Sequence, residues 1–430
     1  MTNGLASQWN VSRHPVGDPL VLSFARGMSE LEGLELPPGS LRRPMKEIVI
    51  EGCLGDAALR RYWSAIKPHI ENQSIKVWAA DLLDPAQLNP AGASDDSERK
   101  RRQRMVDGLN EMQGAGIVYL NKQNAKDLRI YENLSVDAVI IATWDETHCE
   151  IAGGWINRTR WLFVEKPLDS DVESIETLER SLTQQGGEVF ALGFDHYRTK
   201  ALPMRQMMSS VLNWLDGAPD ELTFYLLEPG TIEQEGRVKA LEKGIILDLF
   251  PHCLALLIFF GNPDTFRLED LKVGRYETAQ IDRETFAAIK FTFQSHDGKL
   301  VKGTAYIGKA VGGVRDFLRA GQLSASGPPR MLEVRGSNGR IIRLDFLRGK
   351  NTFSIEQGSE EQVVSGLIDP PHNLLVDSLL LDRMAWDNSC FSVSAGKTIV
   401  RKLEEIRGRV PSELGTYQNS DFLEAILGKI

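Results

Sequence analysis

Asp248 and His252 stand four residues apart in Gly244 to Phe260, the longest apolar stretch of the 430-residue chain. Four residues is about one turn of helix, so the two side chains share a face and point into one cleft. An imidazole titrates near neutral pH and suits removal of a hydroxyl proton, while a carboxylate one turn away suits substrate hydroxyls. A lone histidine on an apolar helix is more often a satisfied core residue, so His252 needs supporting chemistry elsewhere. Gly52-Cys53-Leu54-Gly55-Asp56 offers it, following an apolar strand and opening a helix. There, backbone N–H groups and the helix dipole meet a pyrophosphate. Leu54 occupies the place of the second glycine in the three-glycine fingerprint, so a plain tight turn is the competing reading. Asp81, closing the next strand, is placed to accept hydrogen bonds from an adenine ribose and to repel a 2'-phosphate. That leans toward NAD over NADP. Hydride loss to nicotinamide and proton loss to a base together oxidise a secondary alcohol.

The elements that must position these residues come in two rhythms. Residues 1–44 show no sustained periodicity and end in a turn-rich segment, which predicts an extension. From Met45, a strand over 47–51, a turn over 52–55, a helix over 56–66 and a strand over 75–80 form one strand-helix-strand unit. Residues 84–104 read as a polar insertion with a helix starting near Ser97. Its basic run (Arg99, Lys100, Arg101, Arg102, Arg104) could hold a phosphate, although charge runs on helices are usually solvated faces. Further strands over 117–120, 138–142 and 161–164 predict a parallel, doubly wound sheet, giving a Rossmann domain over 45–195. After Lys200 the strands lengthen and alternate, over 222–227, 285–293, 299–307 and 334–346, the last as a hairpin around Ser337-Asn338-Gly339. An α+β domain over 196–430 with a large, mostly antiparallel open sheet follows. Pro251 predicts that the helix bearing His252 starts close to it.

Composition removes other classes. With 42% hydrophobic and 25% charged residues the chain is neither disordered nor fibrous, and its net charge of -9 gives no attraction to nucleic acid or an anionic membrane. Gly244 to Phe260 is short for a membrane span and carries Asp248, Pro251 and His252. The N-terminus lacks the charged start and apolar core of a signal peptide. Cys53, Cys149, Cys253 and Cys390 lie far apart, which predicts reduced thiols in a cytoplasm and no metal site.

Two family resemblances overlap on these residues. Asp137 to His148, with Thr143 and Trp144 in its loop, followed by Val164-Glu165-Lys166-Pro167-Leu168, resembles the Gfo/Idh/MocA family of NAD(P)-dependent sugar and cyclitol dehydrogenases. The strand, loop and Glu-Lys-Pro motif keep that family's order and spacing; Trp144 stands where a small residue or proline is common. Gly52 to Arg61, Asp195-His196-Tyr197-Arg198-Thr199-Lys200, Glu235-Gly236-Arg237 and Gly244 to Asp248 resemble the glucose-6-phosphate dehydrogenases. His252 falls four residues after Asp248, the Gfo/Idh/MocA spacing, where glucose-6-phosphate dehydrogenases have five.

The resemblance implies NAD or NADP held by Gly52, Cys53, Leu54, Gly55, Asp81, Thr143, Trp144, His148, Glu165, Lys166 and Pro167. It implies a Lys-Pro bond, often cis, that directs Lys166 at the reacting hydroxyl. Such a cation stabilises developing alkoxide character in a cleft of low dielectric. Lys166, Asp248, His252 and Asp195 are the expected catalytic group, with Asp195 fixing the His252 tautomer. Lys166, Asp248, His196, Tyr197, Lys200 and Arg237 are the expected substrate contacts, several of them donors suited to a phosphate or a polar sugar face. His148 also reads as a helix-starting residue. The expected activity interconverts a secondary alcohol and a ketone on a sugar, sugar phosphate or cyclitol. The resemblance further implies a homodimer or homotetramer paired through the open sheet. Three other readings stay open: an enzyme keeping NAD bound for transient oxidation in elimination, epimerisation or glycoside cleavage; an imine reductase; and a non-catalytic dinucleotide or sugar sensor.

Overall fold

The structure, a computed structural model, describes residues 45–55, 57–94, 96–186, 189–201, 204–205, 208–228, 243–276, 282–309, 330–346, 352–357, 360–365, 376, 379–380 and 391–417. Arg237, Asp56 and the extension over 1–44 lie outside them, as do the side chains of His196 and Ser97. The described residues form two compact units. One holds those up to His196 together with 376–401; the other runs from Tyr197 to 365 and resumes at Lys402.

In the first unit, strands β1 (Lys46–Glu51), β2 (Ile75–Asp81), β3 (Val118–Asn121), β4 (Val136–Ile141), β5 (Thr159–Glu165) and β6 (Phe190–Phe194) form one sheet in the order 3-2-1-4-5-6. Every pairing is parallel. Ile48, Val49, Ile50, Ala138, Val139, Ile140, Leu162 and Phe163 are all at most 1% exposed, because a parallel sheet is covered on both faces. The order reverses between β1 and β4, and ligands of such sheets bind outside the carboxyl ends of the strands at that point. A π-helical turn (Ala58–Tyr62) runs into α1 (Trp63–Glu71), so the first helix extends past the expected end at 66. Helices α2 (Asp96–Gly114), α3 (Ala125–Asn133), α4 (His148–Trp155) and α5 (Val172–Gln184) complete the alternation. The chain returns to this unit late: Val393 and Val400 belong to the same core as Leu168 and Leu178, and Leu192 bridges Ser392.

The basic run lies on α2. Arg99 pairs with Asp96 at 2.9 Å, and Arg102 pairs with Glu98 at 2.6 Å and donates to the Asn89 carbonyl at 3.2 Å. Arg102 therefore ties the helix to the insertion before it, while Arg99 pairs within the first turn of α2.

In the second unit, α6 (His196–Lys200), which starts at the boundary, and α7 (Met208–Leu215) precede β7 (Glu221–Glu228). Then come α8 (Ile245–Leu257), β8 (Gly261–Tyr276), β9 (Phe286–Ser295), β10 (Leu300–Lys309), β11 (Arg330–Arg335), β12 (Ile341–Asp345), β13 (Thr352–Gln357) and β14 (Glu360–Ser365). Helix α9 (Val393–Arg407) belongs to the first unit as far as Arg401 and to the second from Lys402, strand β15 (Gly415–Tyr417) follows, and the nine strands form one sheet in the order 14-13-12-11-7-10-9-8-15. Its pairings are antiparallel except β7 with β10 and β8 with β15. Phe250 of α8 sits 6.2 Å from Phe291, which stacks on Phe266 at 5.0 Å. Gly303 makes room, since a Cβ there would lie 2.1 Å from the Phe291 ring. This aromatic layer fixes the helix that carries Asp248 and His252.

Pro251 is the seventh residue of α8 and not part of its first turn, correcting the expected start. Its missing N–H leaves without a helical donor the carbonyl of Leu247, a half-buried residue. The helix begins at Gly244 (φ +89°), and Glu284 receives its first N–H groups, Ile245 through its carbonyl at 3.0 Å and Ile246 through Oε1 at 3.4 Å. Burial pushes the Glu284 carboxyl up from its ordinary value.

Candidate active site

The first unit gathers the expected dinucleotide residues into one connected set. Gly52 leaves β1 at φ +69°, and a Cβ on it would lie 2.8 Å from the Ala142 carbonyl oxygen and 2.9 Å from Thr143 Cγ2. Only glycine lets the turn approach the end of β4 so closely. The turn satisfies several of its own N–H groups: Gly52 donates to Ala80 O at 2.9 Å, Leu54 to Asp81 Oδ2 at 3.1 Å and Gly55 to Gly52 O at 2.9 Å. Asp81 also accepts from Leu83 N at 3.1 Å, so each of its carboxylate oxygens takes a backbone N–H group. Burial pushes its carboxyl up, against the lowering effect of these N–H donors. Cys53 is buried under the turn, its thiol pushed well up by burial and then by Asp81 and Glu51.

From β4 the set continues through the loop. Thr147 ties it shut, donating to Thr143 Oγ1 at 3.0 Å or Trp144 O at 2.8 Å, and leaves the Trp144 side chain outward at 53% exposed. His148 starts α4, buried, with Nδ1 2.9 Å from the Pro167 carbonyl and Nε2 3.2 Å from that of Thr143. Lying between these two carbonyls, the imidazole links the Glu165-Lys166-Pro167 segment to the loop beside Gly52, with the single N–H of either neutral tautomer donating to one of them. The Lys166–Pro167 bond is cis. Asp169 seats the same segment by accepting from Cys149 N at 3.0 Å. Glu165 accepts from the buried Tyr62 hydroxyl at 2.8 Å, and burial, then Glu165, holds that phenol neutral as a donor. Lys166 is half-buried, its N–H 3.3 Å from Glu165 Oε2. Asp195, buried, follows β6.

Glu51 is a residue that sequence reasoning passed over. Fully buried at the end of β1, it accepts from Trp155 Nε1 at 2.8 Å, from the Tyr131 hydroxyl, and from Lys122 Nζ at 2.8 Å. A carboxylate closing an apolar strand directly before the Gly52 turn was the available signal. Glu51→Ala orphans two donors and a largely buried ammonium, and is expected to cost about 3–5 kcal/mol, read from urea denaturation.

The second unit holds the other group. Asp248 is the fourth residue of α8, and its carboxylate pairs with Lys309 Nζ. His252, one turn later, is buried with the Tyr197 ring edge-on at 4.4 Å between centroids. Tyr197 packs in turn on Phe346 at 4.9 Å, and Lys200 donates to the Phe346 carbonyl at 2.9 Å. Asp248, His252, Tyr197 and Lys200 are thus brought together, with Lys309 as an unforeseen member.

Among the described residues, no group of three or more His, Cys, Asp or Glu could hold a metal ion. None of their helices is long and apolar enough to cross a membrane. Cys53, Cys149 and Cys253 are buried free thiols.

An alternating parallel sheet in Rossmann order with a second unit built on a large, mostly antiparallel sheet defines a two-part α/β protein of the dinucleotide-fold class. No family model and no curated protein matches the chain. Solved structures do. The 3-ketoreductase KijD10 of Actinomadura kijaniata, with NADP and TDP-benzene, is similar over 87% of this chain and 99% of its own, with a TM-score of 0.59 and 12% identity. The UDP-N-acetylglucosamine 3-dehydrogenase GnnA of Acidithiobacillus ferrooxidans is similar over 85% and 98%, with a TM-score of 0.56 and 18% identity. At these identities the likeness establishes a shared fold, the one implied by the Gfo/Idh/MocA resemblance.

Proposed function

We propose that the chain is an NAD(P)-dependent oxidoreductase of Gfo/Idh/MocA type that interconverts a secondary alcohol and a ketone on a sugar, sugar phosphate or cyclitol. The observation that carries this reading is the fastening of Lys166 to the dinucleotide turn, running from Gly52 through Thr143 and His148 to Pro167. A sensor needs the turn but not a lysine so tied to it. Bound nicotinamide supplies the hydride acceptor. The glycine at 52, which a Cβ would block, fits a chain that brings its backbone up to a pyrophosphate. Lys166 stabilises the alkoxide, His252 takes the hydroxyl proton, and Asp248 orients the ring through its hydroxyls.

The two similar structures are of a UDP-N-acetylglucosamine 3-dehydrogenase and of a 3-ketoreductase holding a TDP compound, which adds nucleotide-linked sugars to the substrates worth testing. The half-exposed sheet face carrying Thr223, Tyr225, Thr304 and Tyr306 supports pairing with a second copy as a homodimer or homotetramer. Calorimetric titration of nucleotide-stripped protein with NAD and NADP is the deciding experiment. Micromolar binding of one is expected, followed by turnover in a panel of plain, phosphorylated and nucleotide-linked sugars. Binding of neither removes the reading, and turnover only with retained, never added, NAD favours transient oxidation instead.

A further inference from the structure

Lys309 ends β10 on the wrong chemistry for its row. Side chains alternate along a strand, and Val301, Gly303, Ala305 and Ile307, at the same parity, are all buried. The next position on that core-facing row carries an ammonium with 9% of its side chain exposed. Lysines are almost never so buried unless paired, and this one meets the Asp248 carboxylate. Its backbone is pinned as well, since Lys309 N donates to Thr285 O at 3.0 Å, one residue after the Glu284 that caps α8. The strand end, the helix start and the ion pair therefore form one fixture around Asp248.

Stability is a poor reason for such a pair. Exchanging a buried ion pair for well-packed apolar residues is often neutral or stabilising, so the fold would be served as well by a leucine on this row. Departures from local consistency of this kind cluster at functional sites. Asp248 stands one turn before His252, and a carboxylate held against an ammonium presents a set acceptor to a ring hydroxyl.

We infer that Lys309 is a positioning residue, which holds the Asp248 carboxylate in the orientation that seats the substrate ring beside His252. The inference rests on the reading of the site as a sugar oxidoreductase. Lys309→Met, Lys309→Gln and Lys309→Arg test it in the full chain, each also in an Asp248→Asn background, with circular dichroism melting to confirm folding. Lys309→Met and Lys309→Gln are expected to lower kcat/KM about 10- to 100-fold, mostly through KM for the sugar, with NAD(P) affinity unchanged. Lys309→Arg restores most of the loss, and with Asp248→Asn already present the Met and Gln changes cost less than about threefold. An active wild type whose Lys309→Gln variant keeps its kcat/KM, or loses as much without Asp248 as with it, overturns the positioning role alone. A wild type that turns over no hydroxyl or ketone substrate overturns the oxidoreductase reading and this role with it.

Discussion

His252→Ala is expected to lower kcat about 100- to 10,000-fold, the usual contribution of a positioned general base, while leaving dinucleotide affinity as in the wild type. The residues proposed to hold the dinucleotide belong to the first unit and His252 to the second, on α8, so the two effects are separable. His252 is buried against the edge of Tyr197, in a helix whose opposite packing is the aromatic layer of Phe250, Phe266 and Phe291. Truncation to alanine also leaves a cavity, so a fall in stability alone would suit a mere core histidine. His252→Gln separates the two. It keeps volume and hydrogen-bonding capacity but cannot take a proton, and it is expected to lose turnover nearly as fully. The acid limb that a general base gives to kcat/KM should vanish in it. A glutamine variant within tenfold of wild-type turnover would show that His252 is packing.

What the sequence made legible was local. The β1 turn could be read because an apolar strand, a glycine and a helix occur in uninterrupted order, and the hairpin at Ser337-Asn338-Gly339 because its turn residues stand between alternating strands. Strand β8 is not among the expected strands: Asn262, Pro263 and Asp264 are turn-forming residues, and Arg267, Glu269, Asp270 and Lys272 break the apolar alternation. It pairs with β9 across two register irregularities instead. Pro251 misled for a related reason: propensity places proline in a first turn, but packing of Phe250 carries the helix through it. Partners distant in sequence were unreadable. Lys309 lies far from Asp248, Glu51 from Lys122 and Trp155, and Leu192 from Ser392, and no periodicity connects them. The return of 391–401 to the first unit is of this kind, since nothing local to that segment tells where it docks.

The largest effect on the first unit is expected from Gly52→Val, which should weaken dinucleotide binding at least about 100-fold with the sheet intact. Two penalties act together. A β-branched residue at φ +69° carries strain of about 1–3 kcal/mol, and its Cβ would fall 2.8 Å from Ala142 O and 2.9 Å from Thr143 Cγ2. The obstructing atoms are a backbone carbonyl and the methyl of a short, β-branched side chain, so the turn must move, and each 1.4 kcal/mol is tenfold in affinity. Movement spreads along the fastening, because Thr143 O meets His148 and His148 meets the carbonyl next to Lys166. Gly55→Ala supplies the graded comparison. Its added Cβ would stand 3.0 Å from Gly52 O and 3.3 Å from Ala142 O, without a left-handed φ, and a loss of about tenfold or less is expected. Calorimetry measures both, and quenching of the exposed Trp144 on adding dinucleotide reads the same site independently. If Gly52→Val binds NAD or NADP as the wild type does, the turn after β1 holds no pyrophosphate. Lys166 would then be tied to a packing device, and the assignment of this turn as the dinucleotide site would fall.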